Sequence, residues 1–238
     1  MSASADTAAA LQKLAHTLGV TVDELADLRE LPADDVRLLR AQIAEALFQA
    51  DRPRFARMAA LSSSVPIALA AKVTQHALPP LLAARTAELI DPARASELVD
   101  RLPDDYLADV SAAMDAARAP EVVARIPADR VAKVAAELAR RGEWGVIGGF
   151  VAHISPAGLK SSIAQYNGEQ LLRIAFVLDE KSRMNEIGGL LSDKQLDEIL
   201  AAADEHDLSV ELEDMMSHLS GAPLERMTKR AAEHAART

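Results

Sequence analysis

Apolar residues recur along this chain with the period of an α-helix, in segments that are short. After Pro127, the apolar positions Val131, Val134, Ala135 and Leu138 follow one another at offsets of three, four and seven residues, which places them on one helix face. The segment Leu196–Ala203 has the same spacing. Runs that alternate apolar and polar residues, as half-buried strands do, are absent from the sequence. The pattern therefore predicts an all-α protein.

The predicted helices begin with similar short phrases. Leu31–Val36, Leu102–Leu107 and Ile126–Val131 each join an aliphatic residue and a proline to one or two aspartates and then a core residue. Proline suits the first turn of a helix, where its missing N–H is not needed, and aspartate there favours the helix dipole. Helices are thus predicted to begin within two residues of Pro79, Asp91, Pro103, Asp115, Pro127, Ser155, Asn167, Ser192 and Ser220.

The phrases also repeat at a fixed interval. Their aliphatic anchors are spaced by twelve residues and are Leu78, Ile90, Leu102, Met114, Ile126 and Leu138. Because a lone helix of this length is marginal in water, we predict a superhelical stack in which each helix packs against its sequence neighbours. The residues assigned to its core are Leu107, Val131, Val134, Leu138, Ile163, Leu196 and Leu200.

The repeat suggests three regions. Residues 1–60 are predicted to form an N-terminal helical appendage whose first ten residues are a disordered tail, residues 61–232 the repeat domain, and residues 233–238 a C-terminal tail. The most apolar stretch, Ala59–Ala84, is interrupted by polar residues and prolines. It is too broken to span a membrane, so we expect a buried helix pair there, with a peripheral membrane helix as the alternative.

Composition narrows the classes of function. The chain has 26 basic and 36 acidic residues, a net charge of -10 and only 3% aromatic residues, which disfavours nucleic acid as a partner. Leu14–Leu25 resembles a fragment of a helix-turn-helix, but no basic recognition helix accompanies it. The chain has no cysteine, and residues 1–10 lack the features of a secretory signal. An acidic cytoplasmic protein is therefore expected.

The helix phrases resemble those of a known family. Ile90–Leu98 and Arg118–Pro127 are similar to segments of the cytoplasmic N-terminal domain of MgtE magnesium transporters, whose superhelical fold is shared with the middle region of the flagellar motor switch protein FliG. The resemblance spans about Leu78 to Met227 and implies that fold. Transmembrane helices and a paired nucleotide-binding module are not recognisable in the sequence. Magnesium transport is therefore not implied, and no metal ligand is transferred.

A glycine-rich segment interrupts the repeat at Arg141–Val151, which contains four glycines. Each glycine costs a helix about 1 kcal/mol relative to alanine, so a compensating role is expected. Either the glycines permit close helix crossing, or they leave a groove for a ligand or partner. The residues predicted to line that groove are Trp144, Gly145, Gly148, Phe150, Tyr166 and Phe176.

Other candidate chemistry is sparse. Asp214 and His218 lie four residues apart, which makes them weak candidates for holding a metal ion, but the sequence favours a solvated acidic face there. No catalytic constellation and no cofactor motif is recognisable, so we expect a non-enzymatic protein. The sequence favours a scaffold or regulatory module for a protein partner. The alternative is a carrier or sensor of a small apolar ligand at the Trp144–Phe150 bend, and the oligomeric state is left open.

Overall fold

The chain is helical throughout the part that the structure describes. The computed structural model describes the backbone of residues 2–236, and their side chains apart from those of residues 2–6, 16, 47, 48, 50 and 51. Within these limits no strand occurs, and the all-α prediction is confirmed. Nor does any helix in residues 2–236 combine the length and the apolar character that crossing a membrane requires.

The α-helices are short, with α2 as the main exception. Their bounds are α1 (Ser2–Leu18), α2 (Ala33–Ser63), α3 (Ile67–Ala77), α4 (Pro80–Ala87), α5 (Pro92–Val99), α6 (Asp104–Ala113), α7 (Pro120–Ala124), α8 (Ala128–Arg140), α9 (Trp144–Val151), α10 (Pro156–Ile163), α11 (Gly168–Phe176), α12 (Met184–Leu190), α13 (Asp193–Glu205), α14 (Ser209–Ser217) and α15 (Gly221–Ala235). Short 3-10 helices span Val22–Leu28, Ala116–Arg118 and Lys181–Arg183.

Every predicted helix start is confirmed to within one residue. At five of the nine starts the cause is local, because a capping side chain satisfies backbone N–H groups that the helix leaves free there. The Asp91 carboxylate accepts from the N–H groups of Ala93 and Arg94, and Asn167 and Ser192 each form a reciprocal capping box. At Asp115 the new helix is a 3-10 turn, which precedes α7.

The helices fall into two compact units. Residues 51–166 form one, here called the continuous unit, and residues 1–50 with 167–238 form the other, here called the discontinuous unit. This division differs from the predicted appendage at residues 1–60 and repeat domain at 61–232. It falls close to Pro53, which lies inside α2 and cannot donate the backbone hydrogen bond that a helix interior expects.

Within the continuous unit, the helices pack mainly against the next helix but one. Helix α4 packs on α6, α6 on α8, and α8 on α10, while α3 packs on α5 and α5 on α7. The prediction that sequence neighbours form the main contacts is therefore wrong. The connecting turns are short, so consecutive helices meet chiefly near their ends, whereas alternate helices present their apolar stripes to each other.

The predicted core positions are buried with one exception. Leu107, Val131 and Leu138 are at most 9% exposed, as are Ile163, Leu196 and Leu200. Val134 is only half-buried, because it lies at the margin of the stripe on α8 that Val131, Ala135 and Leu138 define.

A repeated polar contact joins the helices of the continuous unit. The side chain at the third position of α5, α6 and α8 reaches back to backbone carbonyl groups that close an earlier helix. Hydrogen bonds run from Arg94 Nη2 to O of Ser62 at 2.7 Å and to O of Val65, from Tyr106 Oη to O of Thr74 and O of Leu78 at 2.9 Å each, and from Arg130 Nη2 to O of Val99 at 2.9 Å and to O of Leu102. Carbonyl groups at helix ends have spare acceptor capacity, because few or no backbone N–H groups of their own helix reach them.

The discontinuous unit brings the first residues of the chain onto its last helices. The sequence predicts a tail over residues 1–10, whereas α1 begins at Ser2. Leu11 and Leu14 are fully buried, in a cluster that also contains Val36, and α1 contacts α14. Leu11, Leu14 and Val36 therefore belong to the core of this unit and not to a separate appendage. At the other end, α15 continues to Ala235, three residues into the predicted tail.

Close backbone packing in this unit depends on Gly168. Helix α11 packs on α13, and a Cβ atom built on Gly168 would lie 2.1 Å from the carbonyl oxygen of Glu198. Real Cβ atoms do not approach backbone atoms so closely, so only glycine fits this crossing. The sequence instead predicts such a glycine, one that permits close helix crossing, in the Gly145–Gly149 segment.

Candidate protein-interaction surfaces

The predicted glycine-rich bend is the short helix α9 of the continuous unit. Gly142, just before it, has a φ of +74°, a conformation that glycine adopts without strain. Trp144 is half-buried at the first position of α9, and its Nε1 lies 3.8 Å from where a Cβ of Gly142 would be. The indole ring thus covers the Gly142 turn. Gly148 is buried in α9, whereas Gly145 and Phe150 are half-buried.

The other two predicted lining residues lie in different units. Tyr166 ends the continuous unit and is 6% exposed, and burial raises the pKa of its hydroxyl. Phe176 belongs to α11 of the discontinuous unit, where its ring centroid lies 5.9 Å from Nζ of Lys181, within the range of a cation–π contact. Whether Trp144 and its neighbours bind a ligand stays a prediction.

Asp214 and His218, the weak metal candidates, engage other partners. Asp214 is 5% exposed, and its Oδ2 forms an ion pair with Nζ of Lys181. His218 Nδ1 lies 2.8 Å from the backbone O of Asp214 and 3.7 Å from its Oδ1. In the part of the chain that the structure describes, no group of three or more His, Cys, Asp or Glu side chains is arranged to hold a metal ion.

An exposed apolar surface lies at the amino-terminal end of the continuous unit. Leu61 of α2 is 69% exposed, Leu69 and Val73 of α3 are 51% and 48% exposed, and Leu81 of α4 is 54% exposed. We call these four residues the amino-terminal apolar face. The expectation that Ala59–Ala84 forms a buried helix pair is therefore wrong for these side chains. Helices α5 and α6 cover α3 and α4 from one side, and terminal repeats of a stack usually turn a polar side outwards.

The amino-terminal apolar face lies in a basic part of an acidic chain. Residues 52–87 contain five Lys or Arg residues and no Asp or Glu, although the whole chain carries a charge of -10. Arg57 precedes Leu61 by one helical turn, and Lys72 lies between Leu69 and Val73. Both cations are exposed, and neither has an ion pair with any side chain that the structure describes.

The discontinuous unit contains an open groove with the opposite charge. Its volume is about 500 Å³, and its floor is formed by Leu212, Met216 and Leu224. The remaining lining residues are Ala203, Asp204, Ser209, Glu213 and Ser217. We call it the α14 groove. The sequence indicated no binding role for Leu212, Met216 or Leu224, because an apolar position on a helix looks the same whether it faces a core or a groove.

One comparison with known proteins, that with protein families, gives a match. Comparison with curated proteins found none, and comparison with solved structures found none either. The match is with a protein family. It begins near the start of the continuous unit and ends at Gly142, just before α9. Its first residue lies upstream of Leu78, where the resemblance seen in the sequence begins. Residues 54–142 match the family described as MgtE intracellular N domain, and this confirms the resemblance inferred from the repeat for that part of the chain.

Proposed function

We propose that this protein is a non-enzymatic helical-repeat module that binds a protein partner through the amino-terminal apolar face. One observation carries the proposal. Four large apolar side chains, between 48% and 69% exposed, occur within 21 residues at one end of a helical stack. Exposed apolar patches of this kind are typical of interaction sites in soluble proteins.

The family match supports the same class of function. Leu61, Leu69, Val73 and Leu81 all lie within residues 54–142, the part that matches the MgtE intracellular N domain, a family of helical regulatory domains. An open apolar surface favours a scaffold over a carrier, since a carrier of a small apolar ligand encloses most of that ligand's surface. The exposed cations Arg57 and Lys72 beside the face favour a partner with acidic residues around its own apolar contact.

Site-specific photo-crosslinking in cells that produce the protein tests this proposal. A benzophenone amino acid replaces Val73 in one variant and Lys133, an exposed polar residue of α8 in the same unit, in a matched control. We expect a discrete adduct with another protein at position 73, its identity reproducible by mass spectrometry, and none at position 133. Adding Leu69→Asp to the first variant should abolish the adduct without lowering the melting temperature, since Leu69 is 51% exposed.

Three results would count against the proposal. Equal adducts at positions 73 and 133 would indicate non-specific contact. Adducts with lipid alone would assign the face to a membrane surface, the alternative for Ala59–Ala84. Adducts that survive Leu69→Asp would show that the apolar side chains do not form the contact.

A further inference from the structure

The α14 groove has the geometry of a helix-binding site. Five of its lining residues, Ser209, Leu212, Glu213, Met216 and Ser217, are spaced by three and one in alternation, so one face of α14 forms most of the groove. The end of α13 and Leu224 of α15 complete the lining. From Ser209 to Ser217 the helix rises about 12 Å, which matches roughly two turns of a docked helix.

The floor of the groove is apolar and remains accessible. Leu212, Met216 and Leu224 are half-buried, whereas the neighbouring Met215 is 1% exposed and belongs to the core. Amphipathic helices dock into such grooves through apolar anchors spaced by three, four and seven residues. Methionine adapts its shape to the anchors because its side chain is unbranched and flexible.

The charge around the groove is strongly negative. Residues 197–214 contain eight Asp or Glu residues and no Lys or Arg. Some of these carboxylates are already paired, as Asp197 is with Arg230 and Asp204 with His234. Four are exposed or half-buried and have no ion pair with any side chain that the structure describes; they are Glu205, Asp207, Glu211 and Glu213.

We propose that the α14 groove binds a cationic amphipathic helix of a partner protein. Apolar anchors of that helix contact Leu212, Met216 and Leu224, and its Lys or Arg side chains pair with Glu213, the carboxylate of the groove lining that has no ion pair with a described side chain. Charge complementarity selects this occupant, because an acidic helix would be repelled by the rim. The site belongs to the discontinuous unit and does not depend on the amino-terminal apolar face.

Labelled model peptides test the proposal with the full chain. The first peptide is a 14-residue helix with leucines at offsets of three, four and seven and lysines elsewhere. The second replaces its lysines with glutamates, and the third replaces its leucines with serines. Fluorescence anisotropy should show binding of the first peptide, weaker at higher salt, and binding at least about tenfold weaker for the other two. In NMR spectra of the methionine methyl groups, the resonance of Met216 should shift when the first peptide binds.

Two variants locate the site. Glu213→Lys reverses a charge on the rim, and Ser217→Arg fills the groove with a bulky cation; both residues are exposed, so the fold should persist. Each should weaken the binding of the first peptide by about tenfold or more. Glu121→Lys, at an exposed glutamate of α7 in the continuous unit, changes the net charge as much as Glu213→Lys does. It should weaken the binding of the first peptide by less than about twofold.

Several outcomes would overturn the proposal. If Glu121→Lys weakens the peptide as much as Glu213→Lys does, the peptide responds only to net charge. If the serine peptide binds like the leucine peptide, or Met216 does not shift, the groove is not the site. If sedimentation shows concentration-dependent self-association that Glu213→Lys abolishes, the occupant is a second copy of the chain.

Discussion

At the scale of single residues, Gly168 restricts the chain most severely. A Cβ atom at this position would lie 2.1 Å from O and 2.2 Å from C of Glu198. Both atoms belong to the backbone of α13, so the clash cannot be relieved by rotating a side chain. The approach of α11 to α13 therefore depends on the missing methyl group.

Gly168→Ala should destabilise the protein by about 3 kcal/mol, because α11 must move away from α13 to admit the methyl group. Gly189→Ala is the matched control, since a Cβ there meets no atom within 4 Å. It should be neutral or stabilising by up to about 1 kcal/mol through helix propensity. Urea unfolding followed by circular dichroism measures both. Equal effects of the two substitutions would contradict the close approach.

Lys13 is the second residue with a constrained environment. It is 6% exposed, and its Nζ lies 2.7 Å from Oδ1 of Asp179. Burial lowers the pKa of Lys13 from 10.5 to about 8, although Asp179 opposes the shift; Arg40 and Lys181 add repulsion. Burial opposes ionisation of Asp179 as well, but attraction from Lys13 and Arg40 leaves the pKa of that carboxyl below its usual range.

Stability should consequently depend on pH through Lys13. Below about pH 8 the amine is protonated in both states and its buried charge costs stability. Between about pH 8 and the unfolded pKa of 10.5, the folded state has lost the proton that the unfolded state keeps, so stability rises with pH. The stability difference between wild type and Lys13→Met should therefore shift by about 2 kcal/mol in favour of wild type from pH 8 to pH 10. A difference that does not change with pH would show that the Lys13 pKa is ordinary.

At the scale of helices, the reach-back side chains account for the regular spacing of the continuous unit. Arg130 Nη2 donates to O of Val99 at 2.9 Å and to O of Leu102, and Arg130 also pairs with Asp104. Its side chain is only 13% exposed. Removing it would take a donor from O of Leu102 and would leave O of Val99 with only the N–H of Leu102, at 3.4 Å, in a partly buried site.

Arg130→Met should lower the free energy of unfolding by about 2 to 3 kcal/mol, because the methionine keeps most of the apolar stem but donates no hydrogen bond. Arg125→Met serves as its control: Arg125 is exposed in the same unit, and its loss should cost less than about 0.5 kcal/mol. Chemical denaturation gives both values. A cost at Arg130 no larger than that at Arg125 would mean that packing alone holds the stack.

The helix starts could be predicted from sequence, because Asp91, Asn167 and Ser192 act on backbone groups two or three residues away. The reach-back contacts could not, since they join residues 28 to 32 positions apart, and an arginine at the third position of a helix has no distinctive local pattern. The predicted packing of sequence neighbours failed for the same reason: periodicity fixes which face of a helix is apolar, but not which helix covers it.

At the scale of the whole molecule, the division into units was not predictable either. Lys13 of α1 carries no sign in the sequence that its partner is Asp179, and the two residues of this buried pair are separated by 166 positions. The amino-terminal apolar face was missed because Leu69 and Val73 have the spacing of core residues. One signal was available, the run of 36 residues from 52 to 87 with five Lys or Arg and no acidic residue, because a buried segment carries few charges and unpaired cations stay at the surface.

The unit boundaries make a prediction about fragments. Residues 51–166 are contiguous and should fold alone with a cooperative thermal transition. A fragment of residues 54–142, the extent of the family match, should be less stable, because it lacks α10, which packs on α8. Differential scanning calorimetry of the two fragments tests this. A longer fragment that melts no higher than the shorter one would show that α9 and α10 add nothing to the unit.

The reach-back contacts also bear on how such a chain can change its length. Consecutive helices α5 and α6 use the same contact through Arg94 and Tyr106, which are twelve residues apart. The unit of growth is therefore one helix. Deleting residues 91–102 would join Ile90 to Pro103 and place Tyr106 where Arg94 now stands, so that each remaining helix still meets a carbonyl group to bind. Deleting six residues would shift the pattern of apolar residues against the stack, so that solvent-facing residues would occupy the core positions downstream. Natural proteins with this architecture should accordingly differ in length mainly by multiples of twelve residues, with other insertions at the ends of the stack or at breaks of the repeat such as Arg141–Val151.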